Sequence, residues 1–245
     1  MNKYQYLDKL KIPDLKKEVR KILAEKSPYR TEIKKLGLDL IQQGGWGRTY
    51  VGSHLLREIG EIVSRKELVE VVYRLANDSS WEIRETAAGL LKHLLLKDFD
   101  YYLGVMKKMV KDKNPNIRRA AVVGSMQTKL SDEQTEKVAL FVYTPLITDE
   151  NEYVRKNLGP FALDNFLRLH PPIAFKFFDR WVKSREPRAI WNVLNAFSIS
   201  RLKSKKYGAW VKEAKNYLKI AESFDNKTVQ TAVKSLRRRL EKIKA

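Results

Sequence analysis

Three segments, DSSWEIRETAA (residues 78–88), KNPNIRRAAV (113–122) and ENEYVRKNL (150–158), superimpose on the aliphatics Ile83, Ile117 and Val154, spaced 34 and 37 residues apart. Each runs from an acidic or amide-rich turn through an aliphatic and a basic residue, and then into the residues that open a helix. Weaker copies stand at 185–191 (REPRAIW) and 224–233 (FDNKTVQTAV), and GWGRTYV at 45–51 reads as a degenerate earlier one. Self-similarity at a period of roughly 20 to 50 residues marks stacked units rather than a single closed core.

Outward from these segments the pattern is helical almost throughout. Apolar residues recur three and four apart in Leu55, Leu56, Ile59, Ile62 and Val63, in Leu90, Leu91, Leu94 and Leu95, and in Phe161, Leu163, Phe166 and Leu167. Glycine and proline fall between the runs, at Ser27-Pro28, Gly44-Gly45, Asn114-Pro115, Pro171-Pro172 and Glu186-Pro187. One helix pair cannot bury its own apolar face, so neighbours stack, and Ala87, Ala88, Ala120 and Ala121 allow close approach. Asp78, Asn114 and Asn151 suit the position just before a helix, where a side-chain oxygen accepts from unpaired amides. The pattern predicts an all-α, HEAT-like solenoid of about six helix pairs, one domain spanning residues 1–245. Arg84, Arg118 and Arg155 recur at one place per repeat and are expected to align as a basic ridge.

The charge balance is one-sided, with 49 Lys and Arg against 29 Asp and Glu, a formal net of +20. Such an excess repels itself unless a polyanion offsets it, which points to nucleic acid. The competing reading is a lysine-rich composition with no such partner. Residues 184–245 hold 16 Lys and Arg against 5 Asp and Glu, densest at RLKSKK (201–206) and RRR (237–239). They suit a surface that tracks a phosphate backbone, or else the polar outer face of a capping repeat. The absence of cysteine excludes a disulfide scaffold, a thiolate nucleophile and every cysteine-based metal site. His54, His93 and His170 show no ligand spacing, so neither a metal nor another cofactor is expected. No run approaches 18 apolar residues, and the start of the chain is charged throughout. The composition reads as a soluble monomer of the cytoplasm, associated with the nucleoid and not with a membrane.

The repeats over roughly 77–197 resemble the HEAT-like DNA alkylation repair proteins, the alkylpurine DNA glycosylases AlkC and AlkD. SSWEIRE (79–85) is similar to the segment carrying the catalytic acid and its neighbouring tryptophan; NIRRAAV (116–122) is similar to the next repeat, with an arginine facing DNA; EYVRKNLG (152–159), running on to His170 and Pro171, is similar to the third. The resemblance implies that Glu85 is the catalytic acid, where the AlkD-like branch has Asp, and that Trp81 and Arg119 contact the substrate. A second active-site tryptophan falls at Pro160, with Phe161, Tyr153 and Trp191 as the aromatics nearby. Arg84, Arg118, Arg155, Lys156, Arg188, Lys205 and Lys206 are read as phosphate contacts on alkylated double-stranded DNA. The implied activity is hydrolysis of the N-glycosidic bond of cationic N3- or N7-alkylated purines, with the lesion bound outside any deep pocket. Two alternatives share the fold: a non-catalytic DNA-binding paralogue, and a scaffold for protein partners. Trp46, Trp181, Trp191 and Trp210 read as core.

Overall fold

The computed structural model describes residues 3–126, 129–198, 202 and 208–244; Arg201, Lys205 and Lys206 lie outside this set. Among the described residues every regular element is helical, which places the chain in the all-α helical-repeat class. It folds as two compact units, Met1–Val105 and Met106–Ala245.

The first unit holds a short 3₁₀ turn (Gln5–Lys9) and helices α1 (Ile12–Lys26), α2 (Arg30–Gln43), α3 (Trp46–Glu58), α4 (Arg65–Ala76) and α5 (Trp81–Lys97). Helix α3 is central: it packs on the 3₁₀ turn, α1, α2 and α5, and α4 packs on α5. Its buried residues include Gly47, Thr49, Val51, Gly52, Ser53, Leu55 and Leu56. A run so small and so tightly spaced lets neighbours approach on more than one side. A Cβ on Gly52 would stand 2.6 Å from the Gly37 carbonyl oxygen, so α2 and α3 cross backbone to backbone. Gly44 and Gly45 turn the chain into α3 with φ of 71° and 82°, a region that favours glycine. Asp8 then seals the start of α3, accepting from the Arg48 amide at 3.0 Å and from its Nε at 2.9 Å.

Helix α6 (Phe99–Met109) spans the boundary. The second unit continues with α7 (Pro115–Gly124), α8 (Asp132–Val138), α9 (Thr144–Leu146), α10 (Glu152–Asn157), α11 (Asp164–Leu169), α12 (Pro171–Lys183), α13 (Pro187–Asn195), α14 (Gly208–Glu222) and α15 (Lys227–Lys244). Two π segments, Ala139–Tyr143 and Leu158–Leu163, join α8 to α9 and α10 to α11. The second contains Pro160, which has no amide hydrogen to give the α-helical ladder. The core of the second unit is aliphatic, with an aromatic cluster of Phe166, Phe177, Phe178, Trp181, Phe197 and Tyr217.

The three repeat starts share one hydrogen-bond device. Asp78, Asp112 and Asp149 each accept, through Oδ1 at 2.8 Å, the amide two residues on, at Ser80, Asn114 and Asn151. Asn114 and Asn151 then cap α7 and α10 by accepting the amides of Asn116 and Tyr153. Asn226 caps α15 in the same way, from Thr228 at 2.9 Å. The capping expectation therefore holds for the two asparagines, whereas Asp78 belongs with Asp112 and Asp149. Ser80 occupies the cap position of α5 but makes no side-chain cap bond, its hydroxyl being turned to Glu82. Ala87, Ala88, Ala120 and Ala121 are buried, as close helix packing requires.

Candidate functional site

Helices α1, α3 and α5 of the first unit line a cavity of about 830 Å³. Helix α5 contributes Trp81 and Glu85, one turn apart on one face, with Glu82, Thr86, Gly89 and Leu90. Two residues that the resemblance implicates thus line the same space. Trp81 is 62% exposed, so a large aromatic surface is left uncovered beside the cavity. Glu85 is exposed as well.

Helix α3 contributes Trp46, Tyr50 and His54, each four residues after the last. Their rings form a ladder, Trp46 to Tyr50 at 6.2 Å between centroids and Tyr50 to His54 stacked at 4.1 Å. His54 Nδ1 lies 3.0 Å from the Tyr50 carbonyl oxygen, an acceptor only, so Nδ1 carries the proton. Burial, and then the Arg57 guanidinium, hold the imidazole below its ordinary range and keep the ring neutral. Helix α1 lends Lys16 and Arg20 beside the apolar Ile12, Val19 and Leu23. Arg57 and Glu58 pair with each other at 2.6 Å where α3 meets the cavity. The lining thus combines aromatic faces, carboxylates and cations.

The remaining predicted residues are placed elsewhere. In the second unit Arg119 is 4% exposed, with its guanidinium 5.3 Å over the Tyr153 ring and its Nε on Asn157 Oδ1 at 3.2 Å. Arg84, Arg118 and Arg155 each donate through one Nη to the carbonyls six and five residues back: Asp78 and Ser79, Asp112 and Lys113, Asp149 and Glu150. The recurring arginine therefore staples the loop of its own repeat. Arg118 goes further and grips Asp149 at 2.7 and 3.0 Å. Lys156 pairs with Glu152 at 2.9 Å, and Arg188 with Glu150 at 3.3 Å. Of the aromatics near Pro160, Phe161 is 59% exposed, Tyr153 faces Arg119, and Trp191 lies beneath Arg155 at 6.0 Å. Trp181 and Trp210 are buried, whereas Trp46 lines the cavity instead of joining the core. Among the described residues no cluster of three or more His, Asp or Glu is placed to hold a metal ion, and no helix is long and apolar enough to cross a membrane.

The α3 wall is what the sequence reading missed, although the spacing of Trp46, Tyr50 and His54 was there to be read. The model of the DNA alkylation repair enzyme family matches residues 9–192, and the chain belongs to that family. It is similar in fold to AlkD2 from Streptococcus mutans, at 20% identity and a TM-score of 0.53, over 86% of this chain and 91% of that one. No curated protein matches the chain.

Proposed function

We propose that this DNA alkylation repair protein is a glycosylase that hydrolyses the N-glycosidic bond of cationic N3- or N7-alkylated purines in duplex DNA. The observation that carries the reading is that Glu85 and Trp81 line one cavity. An alkylated purine already bears positive charge and leaves readily, so the sugar becomes oxocarbenium-like as the bond breaks. The protein must then supply negative charge near C1′ and a water on the opposite face. Glu85 meets both needs: it stabilises the developing cation and takes the proton as water adds to C1′. The bonding pair passes to the base, which departs neutral. The uncovered face of Trp81 suits a cationic ring.

Lys16, Arg20 and Arg57 beside the cavity supply phosphate contacts. Lys156 and Arg188 add to them, since ion pairs with exposed acids are worth little and exchange readily for a phosphate. Arg84, Arg118 and Arg155 reach DNA only in addition to holding their loops.

The test is release of 3-methyladenine and 7-methylguanine from methylated duplex by wild type and Glu85→Gln. The expected loss is at least roughly 100-fold, the scale of a missing general base. Equal release removes Glu85 from the mechanism. No release by the wild type leaves the second reading, a DNA-binding paralogue without catalysis, which the burial of Arg119 favours.

A further inference from the structure

The hydrogen-bond device of the three repeat starts breaks at one place. Before α7 and α10 the capping side chain serves the first turn, Asn114 accepting the amide of Asn116 and Asn151 that of Tyr153. Before α5 the equivalent Ser80 forgoes that bond and donates its hydroxyl to Glu82 Oε2 at 2.6 Å. Glu82 stands where the other two repeats have Asn116 and Tyr153. Among the three, the acid and its serine therefore occur only in the repeat that carries Trp81 and Glu85.

Glu82 also lies on the cavity wall. At about 100° per residue, Trp81 and Leu90 fall at the two edges of the α5 stripe that lines the cavity, and Glu82 and Gly89 near its middle. Glu82 and Glu85, three apart, are neighbours on that stripe, about 5–6 Å between Cβ atoms. A carboxylate on such a wall opposes the approach of a polyanion, and Glu58 is neutralised there by Arg57 at 2.6 Å. Glu82 is instead kept charged. The Ser80 hydroxyl first, then the Glu82 amide and the Arg84 guanidinium, hold its carboxyl below the usual carboxylate range.

We propose that Glu82 is a second catalytic carboxylate, a fixed anion that faces the sugar and offsets its oxocarbenium charge while Glu85 takes the proton of the attacking water. The inference rests on the reading above and divides between two residues the duties given there to Glu85. The base leaves with the bonding pair, water adds to C1′, its proton passes to Glu85, and Glu82 ends the step ionised as it began. A group that never exchanges a proton is well served by a carboxyl that a serine holds in its charged form. Both carboxylates address the sugar, so the base needs no enclosure.

The experiment measures binding of the full chain to two duplexes. One carries a pyrrolidine in place of the lesion sugar, protonated at neutral pH and so a mimic of the oxocarbenium charge; the other carries the neutral tetrahydrofuran. The ratio of the two affinities cancels the phosphate contacts and any general effect of a variant on DNA binding. Wild type is expected to favour the cation about 100-fold, from two carboxylates at about tenfold each, the scale of a close charge pair in a partly screened site. Glu82→Gln is expected to lower that ratio about tenfold, and single-turnover release of 7-methylguanine by a similar factor. A wild type without preference for the cation overturns the proposal before any variant is made. A Glu82→Gln protein with the wild-type ratio also overturns it, since a carboxylate that only steadies the start of α5 leaves the ratio unmoved. Release by Glu82→Gln at the wild-type rate overturns this inference and leaves the enzymatic reading standing. No release by the wild type overturns the enzymatic reading, whatever the ratio.

Discussion

Arg118 combines two tasks. It satisfies two loop carbonyls, as Arg84 and Arg155 do, and it neutralises Asp149, whose side chain is 5% exposed. Arg118→Ala strands a buried carboxylate and should cost about 3–5 kcal/mol. Arg155→Ala loses its bonds to the Asp149 and Glu150 carbonyls, which water can replace, and should cost about 1–2 kcal/mol. Denaturant unfolding of the two variants compares them directly, and equal losses would refute the distinction. The period of these arginines is plain in the sequence; their use as loop staples is not. A basic side chain six residues after an aspartate reads as a surface charge until the backbone shows which carbonyls turn towards it. Glu85 and Trp81 were named through the resemblance, and helical spacing adds that they share one face.

Among the elements, α3 sets the geometry of the first unit through its glycines and its ring ladder. Gly52→Ala presses a methyl against the Gly37 carbonyl, and should cost about 1–3 kcal/mol as the crossing with α2 opens. Gly89→Ala on α5 meets nothing within 4 Å and should instead stabilise, by about 0.5–1 kcal/mol. Opposite shifts in melting temperature would confirm both, and matching signs would contradict the packing described. Helix α3 also gives the unit a pH dependence. The folded state depresses His54 below its ordinary 6.5, so the unfolded chain binds the proton more readily. Stability should be full above about pH 6.5 and fall as the pH drops further. His54→Phe should flatten that slope in melting curves, and an unchanged slope would show that His54 does not contribute. The i, i+4 spacing of these rings was legible, but not that they face a space, because that depends on helices far apart along the chain.

At the level of the whole molecule, the net charge of +20 is the property most exposed to test. If the partner is DNA, the logarithm of affinity should fall linearly with the logarithm of salt concentration, by roughly 0.9 per phosphate neutralised. Lys234→Gln combined with Arg238→Gln, both on exposed positions of α15, should lower that slope by about 2 and weaken all sequences alike. A slope near zero in the wild type would remove nucleic acid as the partner. The repeat class and the helix starts near residues 80, 114 and 151 could be read in advance, because a period is a one-dimensional property. The cavity could not, since its lining gathers residues from Ile12 to Leu90.

The arginine staples bear on how such a chain can change length. Where a loop is tied only by its own repeat, an extra copy inserted beside it brings every bond the new loop needs, so duplication or loss of a unit disturbs little. Between Arg118 and Asp149 the tie runs from one copy to its successor, and a crossover there would separate an acid from its base. Natural variation in repeat number should therefore spare that seam.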